Sequence, residues 1–251
     1  MGRRVMEIEI WAEVTCPWCG LGSHRLDRAV ERFEHRGEVE VIHHSFPLSG
    51  SFPVGETFSV RDALLRRHGM GGSQAEASTR RIEALAESEG LSPYQVLDNR
   101  VGNTDLAHEF LAHASAGGKN REAWDAIFRA YFGRARPVFS LDDLLDLAQE
   151  IALDREGTRQ ALTEHRYQRQ VRDDAARGRR LGATGAPFIV VDGRYGIPGA
   201  QDSDGLLDVL RKAWDESHPL IPGTGGDAPV CGPDGCAVPQ PTSTGRSPSH
   251  P

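Results

Sequence analysis

Val5-Met6-Glu7-Ile8-Glu9-Ile10-Trp11-Ala12-Glu13-Val14-Thr15-Cys16-Pro17-Trp18-Cys19-Gly20 is the stretch on which the fold turns. Met6, Ile8 and Ile10 recur every second residue, the period of a strand with one face in a core. Beyond Cys19 the period changes. Leu26, Ala29, Val30 and Phe33 fall at i, i+3, i+4 and i+7, which predicts a helix to about His35, ended by Gly37. The cysteine pair therefore stands where a strand hands over to a helix. There the first-turn N–H groups and the positive end of the helix dipole favour a thiolate. The thiolate is the form that attacks a disulfide.

Cys16 is thus the predicted nucleophile, and Cys19, one turn later and facing inward, the predicted resolving thiol. Pro17 suits a first helical turn, where its missing N–H costs nothing. Trp18 offers an apolar surface to a substrate and no titratable group. Two other readings of the pair stay open. The cysteines can be inert and buried, or they can be half of a zinc site completed by Cys231 and Cys236. No histidine stands at finger spacing from either pair. Glu13 is read either as a group that helps move a proton at Cys19 or as a charged strand end. His43 and His44, at the end of the second strand, are read either as lying near the site or as ordinary sheet positions.

The 251 residues suffice for a substantial core, and the net charge of −7 argues against nucleic acid as a partner. The basic clusters 166–169 and 177–180 lie among acidic residues and read as solvated helix faces. No apolar run approaches the ~18 residues of a membrane span. Glu7 and Glu9 break what would be the apolar part of a leader, so a cytoplasmic address is expected, where cysteines serve catalysis, sensing or metal binding.

A second strand follows through Glu38–His44, marked by Val39 and Val41, which makes a β–α–β unit expected to be parallel. From about 57 to 182 the pattern is helical. Trp124, Ile127, Phe128 and Tyr131 form one stripe, and Leu144, Leu145, Ala148 and Ile151 form another, with Ser140 as N-cap. Asn103-Thr104 is placed to cap a helix carrying Leu106, Phe110 and Ala114. Strand character returns at Phe188–Val191. Asp192-Gly193 marks a tight hairpin, and a last helix carries Leu206, Leu210 and Trp214. Past His218, Pro, Gly, Ser and Thr dominate, which reads as a flexible tail. Within it Cys231 and Cys236 flank Gly-Pro-Asp-Gly, a turn sequence able to bring them to the ~5.5–6 Å Cα separation of a disulfide.

C-P-W-C-G-L-G near the start, the helical middle and T-G-A-P-F-I-V-V-D-G-R-Y-G-I-P-G-A-Q at 184–201 together resemble the DsbA-like thioredoxin-fold oxidoreductases, in particular the FrnE-type branch. That group is also related to 2-hydroxychromene-2-carboxylate isomerases and kappa-class glutathione transferases. The resemblance spans about residues 5–217. It implies an α/β chain with a thioredoxin fold. The N-terminal βαβ part would occupy 1–50, a large all-helical insertion 51–182, the C-terminal ββα part 183–217 and the tail 218–251. It implies that Cys16 is nucleophile, Cys19 resolver and Pro187 a cis-proline facing them, with Ala186 offering its backbone to an extended substrate. The expected activity is thiol–disulfide oxidoreductase or disulfide isomerase. Its partners would be disulfide-containing or unfolded proteins, with no cofactor required and a thiol reductant or thioredoxin-type partner for recycling. Trp18 stands where histidine is usual in DsbA. Cys231 and Cys236 are expected to form a second redox pair that exchanges with the first. A small-molecule isomerase or transferase and a metal-binding redox protein are the alternative readings.

Overall fold

The computed structural model describes residues 5–218 and the backbone of 231–232 and 235–236; of 67 and 68 it describes the backbone alone. In chain order these hold β1 (Met6–Ala12), α1 (Pro17–Arg32), β2 (Val39–Ser45), β3 (Thr57–Ser59), α2 (Val60–His68), α3 (Gly72–Ser88) and β4 (Arg100–Gly102). Then come α4 (Asp105–Ala116), α5 (Asn120–Phe128), α6 (Leu141–Glu150), α7 (Arg155–Thr163) and α8 (Gln168–Arg180). β5 (Phe188–Val191), β6 (Tyr195–Pro198) and α9 (Ser203–Ser217) follow.

The alternating run becomes the central strand of a four-stranded sheet ordered β2-β1-β5-β6. β2 lies parallel to β1, with Met6 opposite Val39 and Ala12 opposite Ser45. β5 is antiparallel to β1, with Trp11 opposite Phe188, and β6 is antiparallel to β5. Asp192 and Gly193 join the last two with φ of 51° and 66°, the left-handed pair that a two-residue hairpin needs. With the helices, this is the thioredoxin fold carrying a helical insertion.

One face of the sheet presents Met6, Ile8 and Ile10 to Leu26 and Ala29 of α1 and to Leu206, Leu210 and Trp214 of α9. Each such aliphatic residue contributes roughly 1.5–3 kcal/mol through its burial. α1 stops at Arg32, short of the expected end at His35. Phe33 turns extended (φ −74°, ψ 132°) and packs its ring edge-on against Trp214 at 5.8 Å. Core packing, rather than Gly37, ends the helix.

The other face carries Trp11 and Glu9. Trp11 packs with Phe46, Phe188, Val190 and Ala175 of α8. Glu9 reads as a solvent-facing position, yet it is buried. It accepts from both terminal guanidinium nitrogens, Nη1 and Nη2, of Arg177 and lies 2.8 Å from His44 Nε2.

The insertion is helical apart from a short ribbon that periodicity does not reveal, in which β3 and β4 pair antiparallel. Ser140 and Asp143 form a reciprocal capping box on α6, as their spacing predicts. At α4 the cap differs from the expectation in detail. Thr104 is the N-cap but its side chain makes no capping bond, and Asn103 Oδ1 accepts from Asp105 N instead. The chain divides into two compact units, 1–217 and 218–251. In the second, Cys231–Gly232 pairs antiparallel with Gly235–Cys236, which sets Cys231 opposite Cys236. The expected flexibility of the rest of the tail lies outside the described residues.

Candidate active site

β1 ends at Ala12, and three residues carry the chain to Cys16, the N-cap of α1, with Pro17 at the first helical position. Cys16 is half-buried and Cys19 fully buried; both are free thiols, 3.5 Å apart. The Cys16 thiol is lowered from its ordinary value. The main cause is the hydrogen bond it takes from Cys19; burial opposes this, and the N–H groups of Cys19 and Trp18 add to it. Burial pushes Cys19 well above its ordinary value, and its bond to Cys16 adds to that. A half-buried nucleophile of lowered pKa beside a fully buried thiol of raised pKa suits two-step exchange, in which the first attacks a substrate and the second waits.

The Ala186–Pro187 peptide is cis, and the Ala186 carbonyl oxygen lies 3.8 Å from Cys16 Sγ. The distant loop and the cysteines thus meet at one point. Gly20 and Gly22, the glycines after the motif, make room for its surroundings. A Cβ on Gly22 would lie 3.1 Å from Pro187 Cγ. One on Gly20 would lie 2.5 Å from Tyr94 Oη, which donates to the Pro17 carbonyl oxygen at 2.5 Å.

Cys16, Pro17 and Trp18 border a cleft of about 410 Å³, closed by apolar residues of the insertion that include Leu64, Met70, Ile82 and Val96. Tyr131 and Phe132 reach it from a wide π turn, Arg129–Gly133, after α5. Trp18 and Leu48 remain 40% and 39% exposed at its rim. A larger cavity of about 660 Å³ borders Gly20, Ser23 and Asp27 of α1 and touches neither cysteine.

Glu13 is not an exposed, charged strand end. It is buried, and its carboxylate accepts from Thr15 N and Oγ, Leu48 N, Ser49 Oγ and Thr104 Oγ. Burial alone would raise its pKa, but His108 and these donors hold it down at about 2. Its backbone N–H points at Cys19 Sγ, 3.4 Å away. The carboxylate ties the loop after β2 and the start of α4 to the cysteine loop. Tyr94 and His108 are also parts of this site, and no local sequence signal marks them. His43 and His44 stand on the sheet away from the cysteines; His43 bonds Ser23 Oγ, and burial pushes its pKa down to about 3. Among the described residues no group of three or more His, Cys, Asp or Glu is arranged to hold a metal ion, and no helix is long and apolar enough to cross a membrane.

A strand, a Cys-x-x-Cys helix start and a facing cis-proline place the chain among thioredoxin-fold oxidoreductases. Within that class the chain belongs to the DSBA-like thioredoxin domain family, which matches residues 7–211. It is similar to a solved structure described as a probable DsbA oxidoreductase, SCO1869 from Streptomyces coelicolor. The two are 38% identical with a TM-score of 0.81, over 94% of this chain and 100% of that one. It shares its fold with 2-hydroxychromene-2-carboxylate isomerase, at 12% identity and a TM-score of 0.64, over 84% and 97% of the two chains. Among curated proteins, YwbO of Bacillus subtilis (strain 168), described as uncharacterized, is 26% identical over 200 residues, 79% of this chain and 92% of that protein.

Proposed function

We propose that this oxidoreductase exchanges disulfides with protein substrates, as an oxidoreductase or isomerase, through Cys16 and Cys19. The observation that carries this reading is the pair's asymmetry: a half-buried Cys16 of lowered pKa beside the Ala186 carbonyl, and a buried Cys19 behind it. Cys16 Sγ attacks a substrate disulfide, one substrate sulfur leaves as thiolate, and a mixed disulfide forms. Cys19 Sγ then attacks Cys16 Sγ and releases the second substrate sulfur. Pro187 has no N–H to compete at this edge, so the Ala186 backbone is open to pair with an extended chain. The exposed rings and side chains of Trp18 and Leu48 give an unfolded segment an apolar footing. A low-molecular-weight thiol or thioredoxin-type partner returns the pair to the reduced state, and the proposed setting is the cytoplasm. Cys16→Ser is expected to abolish reduction of insulin disulfides, and full retained activity would refute the reading.

The tail pair belongs to this proposal as a second redox couple. Cys231 and Cys236 are backbone partners, as a local disulfide requires. Replacing both by serine should change the turnover or thiol titration of Cys16 and Cys19; unchanged values would remove the pair from the cycle. The cleft of about 410 Å³ beside Cys16 favours one other reading, a compact apolar small molecule as substrate. Turnover of an aromatic or polyketide substrate by Cys16→Ser would establish it.

A further inference from the structure

On the thiol–disulfide reading, the reactivity of Cys16 depends on the first turn of α1. The N–H groups of Cys19 and Trp18 help to lower its pKa. The Cys16 side chain makes no capping hydrogen bond, so these groups act on its sulfur as oriented dipoles. How strongly each acts depends on how far its peptide is polarised.

The peptide that carries the Trp18 N–H carries the Pro17 carbonyl at its other end. Tyr94 Oη donates to that carbonyl oxygen at 2.5 Å. In a regular helix the N–H four residues on, that of Leu21, would serve this oxygen. The Leu21 N–H is itself a donor to the Tyr94 hydroxyl. The hydroxyl thus stands within the first helical turn, between two backbone groups. A helix closes such a carbonyl with its own backbone, so satisfying the Pro17 oxygen does not require a tyrosine from the insertion.

The surroundings hold the phenol in place. Tyr94 comes from the loop between α3 and β4, is 7% exposed, and stacks on Phe132 at 4.7 Å with the planes at 20°. A Cβ on Gly20 would lie 2.5 Å from the hydroxyl and 3.1 Å from the Phe132 ring, so the glycine after Cys19 is what admits it. Burial, with Cys16 and Cys19 nearby, pushes the phenol well above its ordinary range, and it stays a donor.

We propose that Tyr94 is a positioning residue for the exchange reaction: by donating to the Pro17 carbonyl it polarises the Pro17–Trp18 peptide and strengthens the Trp18 N–H that acts on the Cys16 thiolate. Hydrogen bonds that share one polarisable group reinforce each other by about 10–30%. The proline ring fixes φ at Pro17, which limits how far this peptide can turn from the phenol. Tyr94 acts on Cys16 through the peptide and has no part in bond making.

The other titratable groups that face the Cys16 thiol are Cys19 of α1 and Glu13 of the loop before it. Those that face Tyr94 are the two cysteines and Tyr131 of the π turn. Glu13, with a pKa of about 2, is charged wherever a cysteine titrates, and burial keeps Cys19 and Tyr131 protonated there. Asp27 borders the larger cavity that Tyr94 also lines; at about 6 it titrates in wild type and variant alike and drops out of their difference.

The test follows alkylation of Cys16 by iodoacetamide in the reduced full chain, read by mass on the peptide that holds it, over roughly pH 4–9. In Tyr94→Phe the inflection should move up, and the rate below it should fall roughly two- to fivefold, the size of one reinforced bond to a charged group. Above the inflection the rate should stay level or rise slightly, since a thiolate of higher pKa is no poorer a nucleophile. In a glutathione buffer above both inflections, the balance between dithiol and Cys16–Cys19 disulfide should shift by the same factor towards the disulfide, because the reduced form has lost thiolate stabilisation. An unmoved inflection, or a rate lowered by one factor at every pH, overturns the proposal. Gly20→Ala, whose Cβ displaces the hydroxyl, should move the inflection the same way, and the double variant should add nothing to either. If the phenylalanine variant does not fold, the alanine variant decides, and an unmoved inflection there overturns the proposal equally. A wild-type inflection at the ordinary cysteine value of about 8.5 removes the low-pKa nucleophile and with it the thiol–disulfide reading. A low wild-type value that Tyr94→Phe leaves in place removes Tyr94 alone.

Discussion

Cys16 and Cys19 are one helical turn apart and chemically opposite, because one sits at the open N-terminus of a helix and the other beneath it. Glu13 shows the same dependence on surroundings. Its pKa falls from an ordinary 4.5 to about 2 although it is buried, since His108 and the donors around it outweigh the desolvation. A carboxylate lowered in this way stabilises the fold above its unfolded pKa, and that contribution fades as the pH falls from about 4.5 towards 2. Glu13→Gln should therefore lose roughly 3 kcal/mol at neutral pH, and the gap to wild type should close towards pH 2. Urea midpoints across that range measure it, and a gap independent of pH would assign the loss to something other than the charge. The cysteines, Pro187 and the Asp192-Gly193 turn are legible as residues because each carries its signal within a few neighbours. Glu13 is not, because its partner Thr104 lies 91 residues away.

At the level of elements, two contacts fix where helices lie. α8 packs on the sheet through Gly178, where a Cβ would lie 2.7 Å from the Trp11 ring. That ring stacks on His44 at 4.7 Å, donates through Nε1 to the Asp174 carbonyl oxygen and lies under the Arg177 guanidinium, so it has nowhere to move. Gly178→Ala should then destabilise the protein by about 1–3 kcal/mol, the cost of overpacking a closed core. A melting temperature equal to wild type would show that α8 shifts freely. Periodicity in the sequence identifies the helices and sheet strands well, for the apolar stripe of each faces one neighbour. It misses β3 and β4, three residues each, whose pairing bridges some 40 positions and leaves no period to detect. It also overruns the end of α1, since Phe33 leaves the helix to reach Trp214.

Across residues 1–217 the insertion is not a separate body hung on the sheet. One continuous core runs from Ala12, Val14, Cys19 and Leu21 to Phe110, Trp124, Leu144 and Leu147. Cooperative unfolding of this unit is the expected consequence. Far-ultraviolet circular dichroism and tryptophan fluorescence should give coincident thermal transitions, and two separated transitions would show that the insertion melts alone.

The sequence by itself determined the strand, the helix start, the thiol pair and the turn chemistry, because each follows from interactions among near neighbours along the chain. Tertiary structure alone decided which loop faces Cys16, which carboxylate is buried beneath the cysteines and which histidine stands beside it. Those groups come from positions up to 170 residues apart. Their pKa values and contacts depend on burial and on distances of a few ångströms, which arise only once the sheet and the helical insertion share a core.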